Sequence, residues 1–202
     1  AMNGIVNIYK EAGYTSFDVV AKMRGILKIK KIGHTGTLDP MATGVLPILV
    51  GRAVKASDFL VAEDKEYIAE MTLGVRTDTD DITGEILEKC DEIPSEDKVF
   101  EAISSFIGEI EQIPPMYSAI KVGGVKLVDL AREGITIERK SRNVKINSIN
   151  SEKISETVYR MKISCSKGTY IRTLCADIGK RLGVGGVMKT LCRAEASVFA
   201  LS

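Results

Sequence analysis

Residues 33–51 have the sequence GHTGTLDPMATGVLPILVG, which places one carboxylate, Asp39, in a turn built of glycine, threonine and proline. The glycines permit positive φ angles or the close approach of a ligand, and Pro40 restricts the backbone of the aspartate before it. The apolar run at residues 45–50 predicts a buried strand, and a strand end is a rigid platform for an active-site loop. Asp39 is therefore a candidate catalytic residue, but an aspartate before proline also caps turns, and the residues alone favour neither role.

Residues 33–46, GHTGTLDPMATGVL, resemble the signature of the tRNA pseudouridine synthase B family, whose members isomerise the T-loop uridine at position 55. Further stretches similar to this family follow along the chain, and the resemblance covers about residues 3–193. These stretches are KEY at 65–67, PPMYSAIK at 114–121, AREG at 131–134 and GTYIRTL at 168–174. The resemblance implies an α+β fold, the pseudouridine synthase catalytic fold, with a central mixed and largely antiparallel sheet flanked by helices.

The resemblance also implies three catalytic residues. Asp39 would act on the ribose, Tyr67 would stack on the flipped target base, and Arg172 would pair with the aspartate and keep it ionised. The residues themselves leave other roles open, because a tyrosine on the apolar side of a strand is usually core and an arginine on a helix is usually exposed. Whether Asp39 attacks C1′ as a nucleophile or removes the 2′ proton as a base is also left open.

Three further residues match pocket or substrate positions of the family. Tyr170 and Leu191 would line the pocket, and His34 would contact the RNA near the target base. The ordinary pKa of histidine also suits a general base, but we favour the binding role. Without the resemblance, a structural histidine bonded to loop carbonyls is about equally plausible.

A segment near residues 114–142 matches the family insertion that closes over the RNA. Its cations Lys121, Lys126, Arg132 and Arg142 are candidate RNA contacts. Val128 stands where the family commonly has a tyrosine, so an aromatic contact is not expected there.

Charge is unevenly distributed along a chain whose net charge is only +1. Residues 63–112 contain 4 Lys and Arg against 16 acids, whereas residues 113–202 contain 16 against 7. Basic segments that share a face would supply the phosphate contacts of an RNA-binding protein.

No cofactor and no metal are predicted. The chain lacks phosphate-loop and dinucleotide motifs, its only histidine is His34, and its four cysteines form no Cys-x-x-Cys pair. The acidic loop at residues 74–84 does not have the spacing of a calcium site. We expect the cysteines to be buried free thiols in a reducing compartment.

With 202 residues and 45% hydrophobic content, the chain is long enough to bury a core. It has no apolar stretch of membrane-spanning length and no secretion signal, so we expect a cytoplasmic protein. We expect one catalytic domain at 2–202, after a tag-derived Ala1, without the family's usual C-terminal RNA-binding domain. The expected partner is the tRNA T arm, with no membrane, no protein partner and a monomeric state.

Local patterns predict the elements around these motifs. Strands are predicted at 4–9, 45–50, 66–73, 144–149, 157–165 and 187–193, with a further strand at the start of the 114–134 segment. A helix is predicted after Thr15, with Thr15 and Asp18 as its capping pair and an apolar face formed by Phe17, Val20, Met23 and Leu27. Further helices are predicted at 53–60, at 95–107 and from Ile171 to a stop at Gly183.

Two other classes of function use the same residues. An RNA-binding module without activity would have the same basic faces and aromatic residues. An Asp-dependent nucleoside hydrolase would release free uracil, although the second carboxylate typical of glycosidases has no evident motif here.

Overall fold

The computed structural model describes residues 2–201. Ala1, the predicted tag residue, and Ser202, the predicted end of the domain, lie outside the described residues. The strands are β1 (Gly4–Lys10), β2 (Ile32–His34), β3 (Thr43–Val50), β4 (Lys65–Leu73), β5 (Val75–Thr77), β6 (Ile86–Lys89), β7 (Gly108–Gln112), β8 (Lys121–Val122), β9 (Val125–Lys126), β10 (Arg142–Lys153), β11 (Val158–Cys165), β12 (Gly186–Ala196) and β13 (Phe199–Ala200). The helices are α1 (Ser16–Leu27), α2 (Ser57–Ala62), α3 (Glu96–Ser104), α4 (Leu127–Arg132) and α5 (Ile171–Leu182), with a 3-10 helix at Gly51–Ala56.

A nine-stranded sheet contains seven strands in the order β1-β3-β12-β4-β11-β10-β7, with β2 paired to β3 and β13 paired to β12. β1 and β2 run antiparallel to β3, whereas β12 runs parallel to β3. β5–β6 and β8–β9 form two separate two-stranded sheets. The α+β fold with a mixed central sheet, predicted from the resemblance, is confirmed.

Strand periodicity places the core where the sequence predicts it. In β4 every second side chain is buried, from Lys65 through Leu73, and the other side chains are half-buried. In β3 residues 44–50 are all buried, as expected for a strand covered on both faces.

The chain divides into two compact units. The first comprises residues up to 69 together with 162–167 and the residues from 190 onward, and the second comprises 70–161 and 168–189. Among residues 2–201, no helix is long and apolar enough to cross a membrane.

In the first unit, α1 begins with the predicted capping box. The Thr15 hydroxyl accepts the Asp18 backbone N–H, and the Asp18 carboxylate accepts the Thr15 N–H. Phe17 is 64% exposed, in contrast to the predicted apolar face, because Ser16 and Val20 are the residues that the helix buries.

In the second unit, α3 ends three residues earlier than predicted. The Ser105 hydroxyl donates to the Ala102 carbonyl at 2.5 Å, and Phe106 N–H donates to the Ile103 carbonyl, so the last turn tightens. Helix α5 ends as predicted at Gly183, whose φ of 76° is the left-handed value typical of a glycine at a helix C-terminus.

The predicted strand at the start of the 114–134 segment is wrong. Residues 113–120 form an irregular segment, and only the two-residue strands β8 and β9 follow it. Pro114 and Pro115 have no backbone N–H to give to a sheet, which explains the difference.

The prediction of buried cysteines holds for two of the four. Cys165 and Cys175 are buried free thiols, whereas Cys90 and Cys192 are half-buried, contrary to the prediction. Cys90 follows the fully exposed strand β6, and Cys192 lies on the less buried side of β12.

Candidate active site

Asp39 lies at the start of a tight turn in the first unit. Its carbonyl accepts the Ala42 N–H at 2.9 Å, and Pro40 occupies the second position of this turn. The Lys10 ammonium, on a side chain that is 1% exposed, donates to the Pro40 carbonyl at 3.3 Å. Gly13 N–H donates to the same carbonyl at 2.8 Å. The turn is therefore fixed from outside as well as by its own hydrogen bond.

Helix α1 fixes the residue just before the aspartate. The Ser16 hydroxyl accepts the Leu38 N–H at 2.9 Å and donates to the Leu38 carbonyl at 3.2 Å. Both groups are buried, so Ser16 satisfies the backbone of a residue that has no strand partner there. Asp39 itself is half-buried.

Tyr67 projects from β4 into the core of the first unit and is only 9% exposed. Burial raises the pKa of its phenol, and the nearby charge of Asp39 raises this pKa further. The charge and the hydrogen bonding of Arg193 act in the opposite direction and lower the pKa. The Tyr67 hydroxyl therefore feels the charges of both Asp39 and Arg193. The pattern of β4 placed Tyr67 correctly on its buried face, and stacking on a base stays a prediction.

Sequence reasoning missed two buried cations beside this tyrosine. Arg193, in β12, is 1% exposed, and Lys65, at the start of β4, is 8% exposed. The Lys65 ammonium donates to the carbonyls of Val61 and Glu63 at 2.9 and 2.6 Å. Burial lowers the pKa of Lys65, and the charge of Arg193 lowers it further. For Lys65 the sequence signals were its place in the KEY stretch and its position on the otherwise apolar side of β4. Arg193 had no such signal, because Lys189 and Glu195 lie on the same side of β12.

His34 ends β2 and is half-buried. Burial lowers the pKa of its imidazole, and the charge of Arg193 lowers it further. Its buried Nδ1 has no hydrogen-bond partner among residues 2–201. An uncharged imidazole is suited to hydrogen bonding or stacking rather than to pairing with a phosphate, so contact with the RNA bases stays a prediction.

Leu191 is buried in β12, at 9% exposure. Its carbonyl accepts the Thr43 hydroxyl at 3.5 Å, which links it to the first residue of β3. A place in the substrate pocket stays a prediction for this side chain.

In the second unit, Arg172 is buried in the first turn of α5 and is only 4% exposed. It is therefore not the exposed helix charge that sequence alone would suggest. Its guanidinium donates to the Tyr117 carbonyl at 2.7 Å and to the Thr79 carbonyl at 3.3 Å. Arg172 thus anchors the irregular 113–120 segment, and its pairing with Asp39 stays a prediction.

Tyr170 immediately precedes α5 and is held by Gln112. The Gln112 amide donates to the Tyr170 carbonyl at 3.1 Å, and its oxygen accepts the Tyr170 N–H at 2.9 Å. This two-point contact imitates a sheet partner and fixes the start of the helix that holds Arg172.

The four predicted RNA contacts of the insertion are all exposed. Lys121 and Lys126 lie directly opposite each other in the β8–β9 hairpin. Two like charges in this position repel each other and destabilise the hairpin. Arg132 forms a 3.7 Å ion pair with Asp129, and Arg142 begins β10. Two lysine charges placed this close together are suited to an anionic partner.

The second unit also contains a cleft of about 840 Å³. Asp80, Asp177 and Arg139 are among its lining residues, and burial raises the pKa of Asp80 to about 6. Within residues 2–201 no group of three or more His, Cys, Asp or Glu is arranged to hold a metal ion.

The charges and contacts place Tyr67 and His34 beside Arg193 in the first unit, with Asp39 near Tyr67. In the second unit, Tyr170 and Arg172 lie together at the start of α5. A carboxylate near a buried phenol, in a turn fixed by several hydrogen bonds, is a chemical group suited to attack on a sugar carbon or to proton removal.

Comparison with protein families gives one match over most of the chain. The model of the TruB family pseudouridylate synthase N-terminal domain matches residues 24–171. The tRNA pseudouridine synthase B of Alkaliphilus oremlandii is 56% identical over 200 residues, which cover 99% of this chain and 67% of the relative. That of Clostridium acetobutylicum is 53% identical over 198 residues, which cover 98% of this chain and 68% of the relative.

Solved structures give the same picture of the fold. A Cbf5-Nop10-Gar1 complex contains a chain that is similar with a TM-score of 0.78 and 33% identity, over 98% of this chain and 50% of that chain. An H/ACA RNP bound to a substrate RNA containing 2′-deoxyuridine gives a TM-score of 0.74 and 30% identity, over 98% and 49%. This chain therefore spans about half the length of those structural relatives.

Proposed function

Because the chain belongs to the TruB family of pseudouridylate synthases, we propose that it isomerises the T-loop uridine at position 55 of tRNA, with Asp39 as its catalytic residue. The observation that supports this role most is the fixed turn of Asp39, whose charge reaches the buried hydroxyl of Tyr67. The substrate class is supported by the names of the relatives.

The reaction rearranges bonds within the substrate. The bond between uracil N1 and ribose C1′ breaks, the uracil turns within the pocket, and a bond forms between C5 and C1′. C5 loses its proton and N1 gains one, so the product has the same formula as the substrate. Asp39 acts on the ribose, either as a nucleophile at C1′ or as a base for the 2′ proton.

The base has to leave the helical stack before the carboxylate can act on its sugar. In our proposal Tyr67 stacks on the extruded uracil, Tyr170 and Leu191 line its pocket, and Arg172 pairs with Asp39. His34 contacts the RNA beside the target base as a neutral imidazole, which its burial and the charge of Arg193 favour.

The insertion near residues 114–142 provides the RNA clamp of the proposal. Lys121, Lys126, Arg132 and Arg142 are exposed cations on this segment, and each phosphate contact adds salt-dependent affinity. We propose that the protein acts as a cytoplasmic monomer on the tRNA T arm, without a cofactor.

The experiment compares Asp39→Asn with the native chain on a T-arm hairpin containing C5-tritiated uridine. We expect the variant to bind the hairpin within about threefold of the native affinity, because a single half-buried carboxylate adds little to phosphate recognition. We expect tritium release to fall by about 10³-fold or more, because the chemical step loses its acid–base or nucleophilic group. Asp58→Asn, which changes an exposed carboxylate at the start of α2, is the matched control and should keep full activity.

Each alternative has its own result in this assay. Undiminished tritium release by Asp39→Asn would refute the assignment of the catalytic residue. Release of free uracil would identify a hydrolase, and hairpin binding without any tritium release by the native chain would identify an RNA-binding module without activity.

A further inference from the structure

Arg193 joins the two sides of the Asp39 turn. Its guanidinium donates to the Gly36 and Thr35 carbonyls, at 3.2 and 3.5 Å, on the N-terminal side of the turn. Its Nε donates to the Val45 carbonyl, at 2.8 Å, on the C-terminal side. A single side chain thus fixes the distance between the two segments that present Asp39.

The missing side chain at Gly44 lets the backbone of Arg193 lie against β3. Arg193 pairs with Gly44 in the parallel ladder of β12 and β3. A Cβ at Gly44 would lie 2.2 Å from the Arg193 carbonyl oxygen, and one at Gly36 would lie 3.4 Å from the guanidinium. Only the absence of a side chain at position 44 allows the strands to approach this closely.

The same guanidinium faces the other groups of the site. It acts on the Tyr67 hydroxyl by charge and by side-chain hydrogen bonding, and its charge also reaches His34 and Lys65. Asp39 and Cys165 are the groups near Tyr67 that favour its protonated form.

A buried cation at this place needs an explanation beyond stability. Burial of a charge is costly, and neutral side chains also donate hydrogen bonds to carbonyls. A guanidinium is useful where one side chain has to bond both sides of a turn and a neighbouring phenol at the same time. Arginine meets that need better than lysine, because its planar fork reaches several acceptors at once.

We propose that Arg193 is a positioning residue for the reaction, which holds the two sides of the Asp39 turn together and keeps the Tyr67 phenol in place beside it. This proposal rests on the proposed function, because it requires that Asp39 does the chemistry. Arg193 does not touch the substrate in this account, and it acts through Asp39 and Tyr67.

The test uses Arg193→Gln, which removes the charge, and Arg193→Lys, which keeps the charge but lacks the branched guanidinium. The matched control is Arg160→Gln, which changes an exposed arginine of β11 that pairs with Glu70 and Glu152. Hairpin affinity, single-turnover tritium release and thermal unfolding are measured for each variant.

For Arg193→Gln we expect hairpin affinity within about threefold and a rate lower by about 10²-fold, the size of loss that a 1 Å misplacement of a catalytic group causes. For Arg193→Lys we expect hairpin affinity within about threefold and a rate between those of the native chain and Arg193→Gln, because lysine keeps a positive charge but reaches fewer acceptors. If the glutamine variant does not fold, the lysine variant must still bind the hairpin within about threefold and show a rate at least about threefold below the native one.

The outcomes separate this proposal from the proposed function. A native rate in Arg193→Gln, with Asp39→Asn inactive, would overturn only the role of Arg193. Losses of affinity and rate that follow the loss of thermal stability in both Arg193 variants would reduce it to a structural residue. Activity retained in Asp39→Asn would instead overturn the proposed function.

Discussion

Among single residues, Asp80 combines an unfavourable charge with an unusual backbone. It lies in the turn between β5 and β6 with a left-handed φ of 61°. Burial raises the pKa of its carboxyl from 3.8 to about 6, against the opposing charge of Arg172. The raised value means that the folded state prefers the protonated form, so ionisation of Asp80 lowers the stability of the fold.

Asp80→Asn is expected to stabilise the protein by roughly 2 kcal/mol at pH 7.5, because asparagine is uncharged and tolerates a left-handed backbone. The gain should be complete above pH 6, where the native carboxyl is ionised in both states. It should disappear near pH 4, where the folded-state carboxyl is already protonated and the unfolded one becomes so. Urea unfolding at the two pH values measures the difference, with Asp58→Asn as the exposed control. An equal gain at both pH values would contradict the role of ionisation.

The buried cations show where prediction from single residues stops. Positions 65 and 193 fall on buried sides of their strands, but lysine and arginine are residue types that normally lie outside. What permits their burial is a set of carbonyls from Val61, Glu63, Thr35 and Gly36, most of them in loops. No local pattern identifies such acceptors, because the loops meet the strands only in the folded chain. Asp39 and Tyr67, by contrast, were identified by motif and by strand periodicity.

At the level of elements, helix α1 supports the Asp39 turn through its first residue. Thr15 and Ser16 have neighbouring positions but different tasks. Thr15 caps the helix, whereas Ser16 satisfies both backbone groups of Leu38. Substitutions at these two positions can therefore distinguish the stability of the helix, which depends on Thr15, from the geometry of the turn, which depends on Ser16.

Ser16→Ala is expected to lower stability by about 1–3 kcal/mol, because it leaves buried groups of Leu38 unsatisfied. It should also slow tritium release by about tenfold, since a small shift of the turn misplaces the Asp39 carboxylate. Thr15→Ala is the matched variant and should cost about 1 kcal/mol of stability through loss of the cap, with a native rate. Thermal unfolding and single-turnover assays compare them. A rate that falls equally in both variants would show that helix stability alone controls the turn.

Elements with a strong period were predictable from sequence, and those without one were not. β4 and α5 were predicted within one residue because their apolar positions alternate or repeat without interruption. The 113–120 segment has apolar residues and two prolines, and its conformation depends on Arg172, which holds the Tyr117 carbonyl from a distant helix. A contact of that kind is not encoded in the segment itself.

For the whole molecule, the parallel pairing of β3 and β12 brings together parts of the chain that are 148 residues apart, at Val45 and Arg193. The apolar pattern of each strand was evident from sequence. The placing of β12 beside β3 was not, because buried strands of similar composition have no unique partner. The mixed sheet itself was predicted only through the family resemblance.

Gly44→Ala is expected to destabilise the protein by about 2–6 kcal/mol, from strain at a φ of 110° and from the clash with the Arg193 backbone. Gly25→Ala, in the middle of α1 with open space around it, is the matched control and should stabilise by about 0.5–1 kcal/mol. Urea unfolding measures both, and recovery of Gly44→Ala only as insoluble protein would count as the same result. Native stability in Gly44→Ala would disprove the close approach of the strands.

The dependence of the Asp39 turn on Arg193 also has a consequence for protein synthesis. The ribosome makes the turn early, but the guanidinium that joins its two sides emerges only after β12 has been translated. A nascent chain therefore displays Asp39 in an incomplete turn until residue 193 has been added. The turn is complete only when the sheet has received its parallel strand.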